Sequence, residues 1–334
     1  MLFKQMLSSL LSTSGIYSLV ERVCYSDKAF VLTYHRILSS VADQEHFVQP
    51  GMYVATSSFE KHMAFLRDRF EIVFLDDLLE KLLNGENVGG HCAITFDDGW
   101  RDNYTDAYPV LEKYRVPATI FLATGFIGTD RMFWPEELCC YITRHVGMRA
   151  FNDGPPSLIT FNKEMSEHVR EHMEIFLDSA IEILKKFTLE EREELLGYFR
   201  KQLGTLPLAR QMLSWDEARE MLASKLVRFG SHTVNHEMLD KNLLEKSRDE
   251  IIKSREDIEN NLGVQVSTFA YPNGNFTANI QKILIESGFY AAVTTRKGFL
   301  TRDIPLMEIP RIAIHEDVSN TVPMFRSRIL LRKF

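Results

Sequence analysis

Short apolar strands that end in chemically active side chains are the feature that most constrains the fold of this chain. One strand ends in the adjacent carboxylates Asp97 and Asp98, and another is followed by His232 and His236. Helical segments separate such strands, and this alternation predicts parallel βα units. Active sites of (β/α) barrels lie at the carboxyl ends of the strands. The sequence therefore predicts an α/β barrel whose active site is built from these residues.

Segments with the length and composition of buried strands predict a parallel sheet of seven or eight strands. They are 30–35, 72–75, 92–97, 117–122, 227–230, 268–274, 290–294 and 309–315. Asp76 is predicted to cap the helix that follows the second of them, and Ser214 and Glu217 have the spacing of a capping box. Between about 130 and 213 the sequence is long, charged and helical in pattern, so we predict a helical insertion in the barrel.

Composition narrows the class of protein. The chain has 334 residues, of which 45% are hydrophobic and 25% charged, as in ordinary globular proteins. Its formal net charge of −7 argues against nucleic acid as the main partner. The cysteines form no CxxC pair and are too few for a disulfide scaffold, which indicates a reducing compartment or simply unpaired thiols.

The two ends of the chain are predicted to lie outside the barrel, which we place at 30–320. Residues 1–29 lack the continuous apolar run of a signal peptide and predict a short helix. That helix either packs on the protein's own core, which we favour, or contacts a membrane surface. Residues 321–334 form a basic amphipathic tail of the kind that makes peripheral membrane contact. No segment has the roughly 20 apolar residues of a transmembrane helix. These features predict a cytoplasmic protein, or one at the inner face of the membrane, and leave its oligomeric state open.

A carboxylate and two imidazoles among the residues named above are the kinds of side chain that bind metal ions. Asp98, His232 and His236 can occupy three positions around an ion and leave others open for water and substrate. A cation would also offset the repulsion between Asp97 and Asp98. Zn²⁺ is the default ion for such ligands, and Co²⁺, Ni²⁺, Mn²⁺ or Fe²⁺ are alternatives. Asp97 would then act as general base, and a histidine would protonate the leaving amine.

The motifs and their neighbours resemble those of the polysaccharide deacetylases, carbohydrate esterase family 4, with the NodB-homology fold. The resemblance rests on Thr95–Gly99 and Ser231–His236 and on the flanking segments 32–37, 117–122, 214–215 and 269–274. It covers roughly 30–320 apart from the insertion. The resemblance implies a distorted barrel of about seven parallel strands that removes N-acetyl groups from sugars with the help of a metal.

The resemblance also implies roles for individual residues. In the family pattern, Asp97 corresponds to the general base, and Asp98, His232 and His236 correspond to the metal ligands. The turn at Tyr271 and Pro272 holds the acetate product through backbone contacts in the family. Trp134 is a further candidate because aromatic faces stack on sugar rings, although ordinary packing explains it equally well.

The chain departs from the family pattern at two places. The arginine that orients the base is missing from 269–272, and Arg311 on the last strand is the candidate substitute, unless it forms a structural ion pair. The usual acid is a late histidine, where His315 stands in this sequence. In the poly-N-acetylglucosamine deacetylases of biofilms an early histidine serves instead. The motif Tyr34-His35 resembles that second arrangement, so we favour His35 over His315.

The resulting hypothesis is an N-deacetylase that acts on N-acetylhexosamine units of a glycan or glycan precursor. A nucleotide sugar or an O-acetyl ester is the alternative substrate. From other classes of protein, a non-catalytic glycan-binding module and a structural partner in a glycan-assembly complex are the alternatives. Loss of the base or of a metal ligand would indicate a binding module, and the sequence retains all of them.

Overall fold

The computed structural model describes residues 8, 17, 26–39, 48–49, 51–144, 154–166, 173–204, 206 and 209–331. The chain divides into two units. The first unit comprises residues 1–40, 51–130 and 210–334, and the second comprises residues 41–50 and 131–209. All the motifs named above except Trp134 belong to the first unit.

The first unit is built on a curled parallel sheet. The strands are β1 (Phe30–Tyr34), β2 (Arg36–Leu38), β3 (Tyr53–Ala55), β4 (Glu71–Ile72), β5 (His91–Phe96), β6 (Ala118–Leu122), β7 (Val227–Ser231), β8 (Thr268–Ala270), β9 (Ala291–Val293) and β10 (Ile312–Ala313). Their order in the main sheet is β10-β1-β5-β6-β7-β8-β9, with β4 beside β5, and every pairing is parallel. This order confirms the predicted α/β barrel of about seven parallel strands. The short strands β2 and β3 form a separate parallel pair that the sequence did not predict.

Helices connect these strands and also form the second unit. They are α1 (Thr56–Arg69), α2 (Leu75–Leu83), α3 (Tyr108–Tyr114), α4 (Trp134–Arg144), α5 (Pro156–Met165), α6 (Met173–Leu184), α7 (Leu189–Leu203), α8 (Trp215–Ala223), α9 (Leu244–Leu262), α10 (Ala278–Glu286), α11 (Glu316–Ser319) and α12 (Val322–Leu330). A π-helical turn, Asn103–Ala107, precedes α3. The predicted capping box is confirmed at the start of α8, where Ser214 and Glu217 bond each other's backbone.

Side chains along the strands alternate between two faces of the sheet. In β5, Cys92, Ile94 and Phe96 belong to the large core that the sheet shares with the surrounding helices. Ala93 belongs instead to a second cluster, which includes alternate residues of β1, β6, β8 and β9 and therefore lies on the inner face. Since alternation carries this inner row on to Asp97, the strand places that carboxylate inside the open end of the barrel.

The segment around β10 brings the two ends of the sheet together. Ile309 forms a parallel bridge with Val293 of β9, and Ile312 pairs with Leu32 of β1. Arg311 lies between these two contacts and is buried. Closure of the barrel by so short a segment therefore carries an arginine into its interior.

The chain leaves the first unit after Asp130 and re-enters it at Arg210. The two chain segments are adjacent there, because the Gly128 N–H donates to the Leu213 carbonyl over 2.7 Å. We call this contact the junction. In the second unit, α4–α7 surround a hydrophobic core of their own, to which Leu158, Leu177 and Leu195 contribute.

The ends of the first unit are described only in part. Ser8 and Tyr17 are buried, and the hydroxyl groups of both hydrogen-bond to Ser327 of α12. The Arg326 guanidinium lies 5.0 Å from the centre of the Tyr17 ring. Most of the predicted N-terminal helix and residues 332–334 of the basic tail lie outside the described residues. Within the described part of the chain, no helix is both long and apolar enough to cross a membrane.

Candidate active site

The carboxylate of Asp97 is bound by a buried arginine at the end of β5. Arg311 donates from Nη1 to Oδ1 over 2.7 Å and from Nη2 to Oδ2 over 2.6 Å, the bidentate geometry of a strong ion pair. Asp97 is 3% and Arg311 1% exposed. Burial by itself raises the pKa of Asp97, but the charge and hydrogen bonds of Arg311 outweigh it and hold the pKa below its ordinary value. Asp97 is therefore ionised at neutral pH.

Arg311 is itself held in place by the barrel interior. Its Nε donates to the Thr294 carbonyl over 3.0 Å, and Nη1 also donates to Thr95 Oγ1 over 3.1 Å. The guanidinium carbon lies 5.8 Å from the centre of the Phe121 ring. With these contacts the position of Arg311 is determined from several strands, so it presents a rigid surface to Asp97.

The carboxylate of Asp98 contacts a different set of residues. The φ of Asp98 is +77°, a left-handed conformation that aspartate tolerates better than most residues. The Trp100 indole donates from Nε1 to Oδ2 over 2.9 Å. Between them, Gly99 has a φ of +83°, and a Cβ there would lie 2.8 Å from Leu122 Cδ2. The turn therefore needs glycine at this position to bring Asp98 and Trp100 together.

The other carboxylate oxygen of Asp98 faces the two histidines. Oδ1 lies 3.5 Å from His232 Nε2 and 3.4 Å from His236 Nε2. One ligand atom from each residue can be chosen so that all three lie within 4.8 Å of one another. The His232 ring is buried, whereas the His236 side chain is 30% exposed. The predicted set of metal ligands is thus assembled at a place that solvent can reach.

A hydrogen bond fixes the proton position on His232. Nδ1 lies 2.7 Å from the Ala270 carbonyl oxygen. Because a carbonyl can only accept, Nδ1 carries the proton and Nε2 of the neutral ring has a lone pair directed toward Asp98. Metal-binding histidines are typically oriented in this way, by a hydrogen bond from the nitrogen that does not bind the ion.

The cluster fits a divalent cation. Asp98 Oδ1 is buried, yet no hydrogen-bond donor among the described residues satisfies it. Burial raises the pKa of Asp98, and His232 and His236 hold it below its usual range when their Nε2 atoms carry protons. With neutral rings, a cation has to take over that role. An ionised buried oxygen without a donor is costly, and a cation would remove that cost. One carboxylate with two imidazoles suits zinc and other first-row divalent ions.

The backbone of the histidine loop, residues 232–236, is strained. Thr233 has a φ of +65° and His236 a φ of +54°, values that are uncommon for residues other than glycine. The segment after β6 holds one side of this loop, because Thr124 N–H donates to the Thr233 carbonyl and Gly125 N–H to the Val234 carbonyl. Strained conformations persist only when surrounding contacts fix them, and they are concentrated at functional sites.

His35 lies beside Asp97. It connects β1 to β2, and its Nε2 is 4.0 Å from Asp97 Oδ2, with 24% of the side chain exposed. Its backbone carbonyl accepts a hydrogen bond from Asn103 Nδ2 over 2.8 Å, in the π-helical turn. The structure therefore brings His35 to the predicted base while leaving it accessible to a substrate.

His315 lies beside a different carboxylate. It directly precedes α11, and its Nδ1 lies 3.4 Å from Asp317 Oδ2. Burial and the Arg328 guanidinium lower the pKa of His315 below its ordinary value. His315 is therefore neutral at neutral pH, and the carboxylate beside it is that of Asp317, whereas the carboxylate beside His35 is that of Asp97.

The turn at Tyr271 follows β8. Tyr271 is buried, its N–H donates to the Val293 carbonyl over 3.2 Å, and its hydroxyl donates to the Met307 carbonyl over 3.1 Å. Pro272, also buried, begins a short helical turn that ends at Gly274. Both donor groups of Tyr271 are therefore used within the protein, and contact of this turn with acetate stays a prediction.

Trp134 begins α4 in the second unit. The Arg192 guanidinium carbon lies 4.7 Å from the centre of its ring. The ring also packs against the hydrophobic core of that unit. These contacts are those of an ordinary packed aromatic residue, and a sugar contact of Trp134 stays a prediction.

Sequence reasoning missed several residues that orient the site. Trp100 holds Asp98, and the Arg36 guanidinium lies 4.4 Å from the centre of the Trp100 ring. Arg36 Nε in turn donates to Asp102 Oδ2 over 2.8 Å, and both residues are buried. Trp100 and Asp102 directly follow the motif 95–99, and Arg36 lies in the flanking segment 32–37, so neighbours of the recognised segments were the available signal. Glu250, which contacts the histidine loop, had no such signal because it lies far along the chain.

A family model and several known proteins are similar to this chain. The family model for polysaccharide deacetylase matches residues 84–292, more than half of the chain. YxkH of Bacillus subtilis (strain 168), whose name places it among polysaccharide deacetylases, is 22% identical over 293 residues, which are 87% of this chain and 73% of that protein. The poly-beta-1,6-N-acetyl-D-glucosamine N-deacetylase of Staphylococcus aureus (strain N315) is 28% identical over 117 residues, but only 31% of this chain and 39% of that protein are covered.

Solved structures show the same fold. IcaB from Ammonifex degensii superposes with a TM-score of 0.58 at 21% identity, over 90% of this chain and 97% of that one. The Streptococcus pyogenes deacetylase PplD in complex with acetate gives a TM-score of 0.56 at 19% identity, over 88% and 95% of the two chains. At such identities the likeness concerns the fold alone.

Proposed function

The chain belongs to the polysaccharide deacetylase family, and on that premise we propose that it removes N-acetyl groups from N-acetylhexosamine units of a glycan or glycan precursor. The observation that carries the proposal is the buried cluster in which Asp97, held by Arg311, lies next to Asp98 and its two imidazoles. The family supplies the class of reaction, and the cluster supplies the groups that such a hydrolysis needs.

Asp98, His232 and His236 would hold the metal, with Zn²⁺ as the default and Co²⁺, Ni²⁺, Mn²⁺ or Fe²⁺ as alternatives. When bound, the metal would polarise the acetamide carbonyl and make a water molecule more acidic. The proton on His232 Nδ1 keeps Nε2 available as a ligand atom, and Trp100 keeps Asp98 Oδ1 directed toward the histidines.

Asp97 acts as the general base. It accepts a proton from the water that attacks the acetamide carbon, and Arg311 keeps the carboxylate ionised and fixes its plane. The rigid surroundings of Arg311 support this role, because a base must be within hydrogen-bond reach of the proton that it removes.

His35 acts as the general acid. As the C–N bond breaks, it donates a proton to the amine nitrogen, and the products are acetate and a free amino sugar. Its position beside Asp97 supports this assignment over His315, which lies beside Asp317 instead. The name of the Staphylococcus aureus relative makes a β-1,6-linked N-acetylglucosamine oligomer the first substrate to test.

The test is acetate release from N-acetylated oligosaccharides. The protein is first treated with a chelator and then supplied with single divalent metals. We expect activity to disappear with the chelator and to return with one or a few metals. No acetate from any sugar together with no bound metal would refute the proposal. Stoichiometric metal without acetate would favour a binding role.

Two variants separate the base from the metal ligands. Asp97→Asn should lower turnover by about 10²- to 10⁴-fold, the usual contribution of acid–base catalysis, and should retain the metal. His232→Ala should lose both metal and activity. Metal content is measured by elemental analysis and turnover by acetate release. An active Asp97→Asn protein would exclude Asp97 as the base, and normal metal content in His232→Ala would remove His232 from the ligand set.

A further inference from the structure

Helix α9 directs one carboxylate into the backbone of the histidine loop. Glu250 Oε2 accepts hydrogen bonds from the Val234 N–H over 2.9 Å and from the Asn235 N–H over 2.8 Å. Glu250 Oε1 accepts a third from Asn235 Nδ2 over 2.6 Å. The bonded residues lie between His232 and His236, and Glu250 itself is 6% exposed.

Glu250 stands on the buried face of its helix. The buried positions of α9 recur at helical spacing and include Ile251, Ser254 and Ile258 as well as Glu250. Ser254 Oγ is hydrogen-bonded to Ser231 Oγ over 2.6 Å, directly before the loop begins. A carboxylate on such a face is costly unless donors satisfy it. Here the histidine loop supplies the donors, so the helix and the loop stabilise each other.

Two partners outside the histidine loop hold its backbone. The segment after β6 binds the carbonyl groups of Thr233 and Val234, and Glu250 binds the N–H groups of Val234 and Asn235. The left-handed conformations of Thr233 and His236 flank this clamp. Without Glu250, two backbone donors would lose their acceptor and the strained residues would lose one of the contacts that fix them.

We infer that Glu250 is a positioning residue that fixes the spacing of His232 and His236 and thereby sets the affinity of the site for its metal. This inference rests on the proposed function, because it takes the two imidazoles to be ligands. Glu250 acts through the backbone of residues 234 and 235 and reaches neither a ligand atom nor the substrate.

The experiment compares three variants of the full chain. Glu250→Ala removes the clamp. Glu250→Gln keeps one oxygen for the two backbone donors but places an amide nitrogen toward Asn235 Nδ2. Glu259→Gln is the matched control, because Glu259 lies on the same helix and accepts hydrogen bonds from the Val266 N–H and Arg255 without contacting the histidine loop.

Two readouts are measured on chelator-treated protein. Competition with a chromophoric chelator gives the Zn²⁺ affinity, and hydrogen exchange gives the protection of the 234 and 235 amides in the absence of metal. Glu250→Ala should bind Zn²⁺ about 10- to 100-fold more weakly, the usual effect of losing a group that orients metal ligands. Its two amides should also exchange faster, Glu250→Gln should fall between Glu250→Ala and wild type, and Glu259→Gln should match wild type.

Unchanged Zn²⁺ affinity and unchanged amide exchange in Glu250→Ala would overturn the role of Glu250. If Glu250→Ala does not fold, Glu250→Gln decides by the same two readouts. Wild-type protein that binds no metal would refute the proposed function instead. The exchange comparison in metal-free protein would then still decide whether Glu250 fixes the loop.

Discussion

At the scale of single residues, one left-handed residue gives two adjacent carboxylates different surroundings. Asp97 continues the inner row of β5 and contacts Arg311, whereas Asp98, with its φ of +77°, faces Trp100 and the imidazoles. Each carboxylate thus meets its own positive or hydrogen-bonding partners. Their mutual repulsion is offset separately, so both are ionised at neutral pH and available for different tasks.

The ion pair of Asp97 with Arg311 gives a pH-dependent contribution to stability. The pKa of Asp97 is lowered from 3.8 in the folded protein, so the stabilisation is complete above 3.8 and is lost as the pH falls through the lower folded value. Arg311→Met leaves a buried carboxylate without its partner and should cost about 3–5 kcal/mol at pH 7. The difference from wild type should shrink at acid pH, where the Asp97 of the variant becomes protonated.

Urea unfolding at several pH values measures this effect. Arg296→Met serves as the control, because Arg296 pairs with Glu308 at the surface and is 58% exposed. A stability difference between wild type and Arg311→Met that does not change with pH would show that Arg311 acts through packing alone.

Substrates with different leaving groups distinguish the two candidate acids, His35 and His315. His35→Gln should slow amide hydrolysis by about 10²- to 10⁴-fold, since an amine must be protonated as it leaves. The same variant should hydrolyse an activated acetate ester nearly as fast as wild type, because a phenolate leaves without a proton. His315→Gln should change neither rate much. The opposite pattern, measured as acetate release and phenolate absorbance, would assign the acid to His315.

At the scale of secondary-structure elements, strands of a few residues determine where the site lies. The segment through β10 closes the sheet and carries Arg311 into the barrel, and β7 places its last residues beside β6 to start the histidine loop. Gly230 in β7 makes room for the Phe121 ring, over which the Arg311 guanidinium lies. Close packing of β6 and β7 therefore affects the position of Arg311 and, through it, that of Asp97, the proposed base.

Gly230→Ala tests this packing. The new Cβ would lie 2.5 Å from Phe121 Cδ1 and Cε1 and 3.1 Å from the backbone oxygen of Thr268, which cannot easily move. We expect a loss of about 1–3 kcal/mol in the free energy of unfolding, as for overpacking of a core, together with reduced turnover because the ring displaces Arg311.

Gly197→Ala is the matched control for this substitution. A Cβ on Gly197, within α7, would contact nothing within 4 Å. Replacement of a helical glycine by alanine stabilises by roughly 0.5–1 kcal/mol. Urea unfolding gives both values, and a Gly230→Ala protein as stable and active as wild type would exclude the tight packing described here.

The strands of the barrel could be predicted from the sequence because each is an apolar run bounded by turn residues, and polar residues at the strand ends indicated the site. Contacts between residues that are distant in the sequence could not be predicted in this way. Asp76 was predicted to cap a helix, but α2 begins at Leu75 and Asp76 lies in its first turn, where Tyr290 and Arg228 contact it. The prediction was wrong because tertiary partners, absent from the local sequence, bind its side chain. The contact of Glu250 with the histidine loop was missed for the same reason.

At the scale of the whole molecule, the groups proposed for catalysis all belong to the first unit. The second unit has a separate hydrophobic core of helices. Since the junction brings Gly128 and Leu213 within a hydrogen bond of each other, the first unit has a continuous path when the insertion is left out. The structure therefore allows the barrel to be studied without residues 131–209.

Replacement of residues 131–209 by a short glycine-serine linker tests this separation. The shortened protein should fold and bind Zn²⁺ with an affinity close to that of the full chain, because the ligands and the Glu250 clamp remain. It should also hydrolyse an activated acetate ester. Circular dichroism and chelator competition check the first two expectations. Loss of Zn²⁺ binding in a folded protein would show that the insertion is needed to form the site.

The junction also bears on how such proteins diverge. Gly128 N and Leu213 O lie 2.7 Å apart, so the barrel segments that flank the insertion are already adjacent. Because loop closure costs grow only slowly with length, inserted units of different length can be accepted there. Insertions and recombination can therefore exchange residues 131–209 while the barrel keeps its reacting groups. Selection can act on the inserted unit and on the chemistry independently, so homologues with the same reacting groups can carry unrelated insertions at this point.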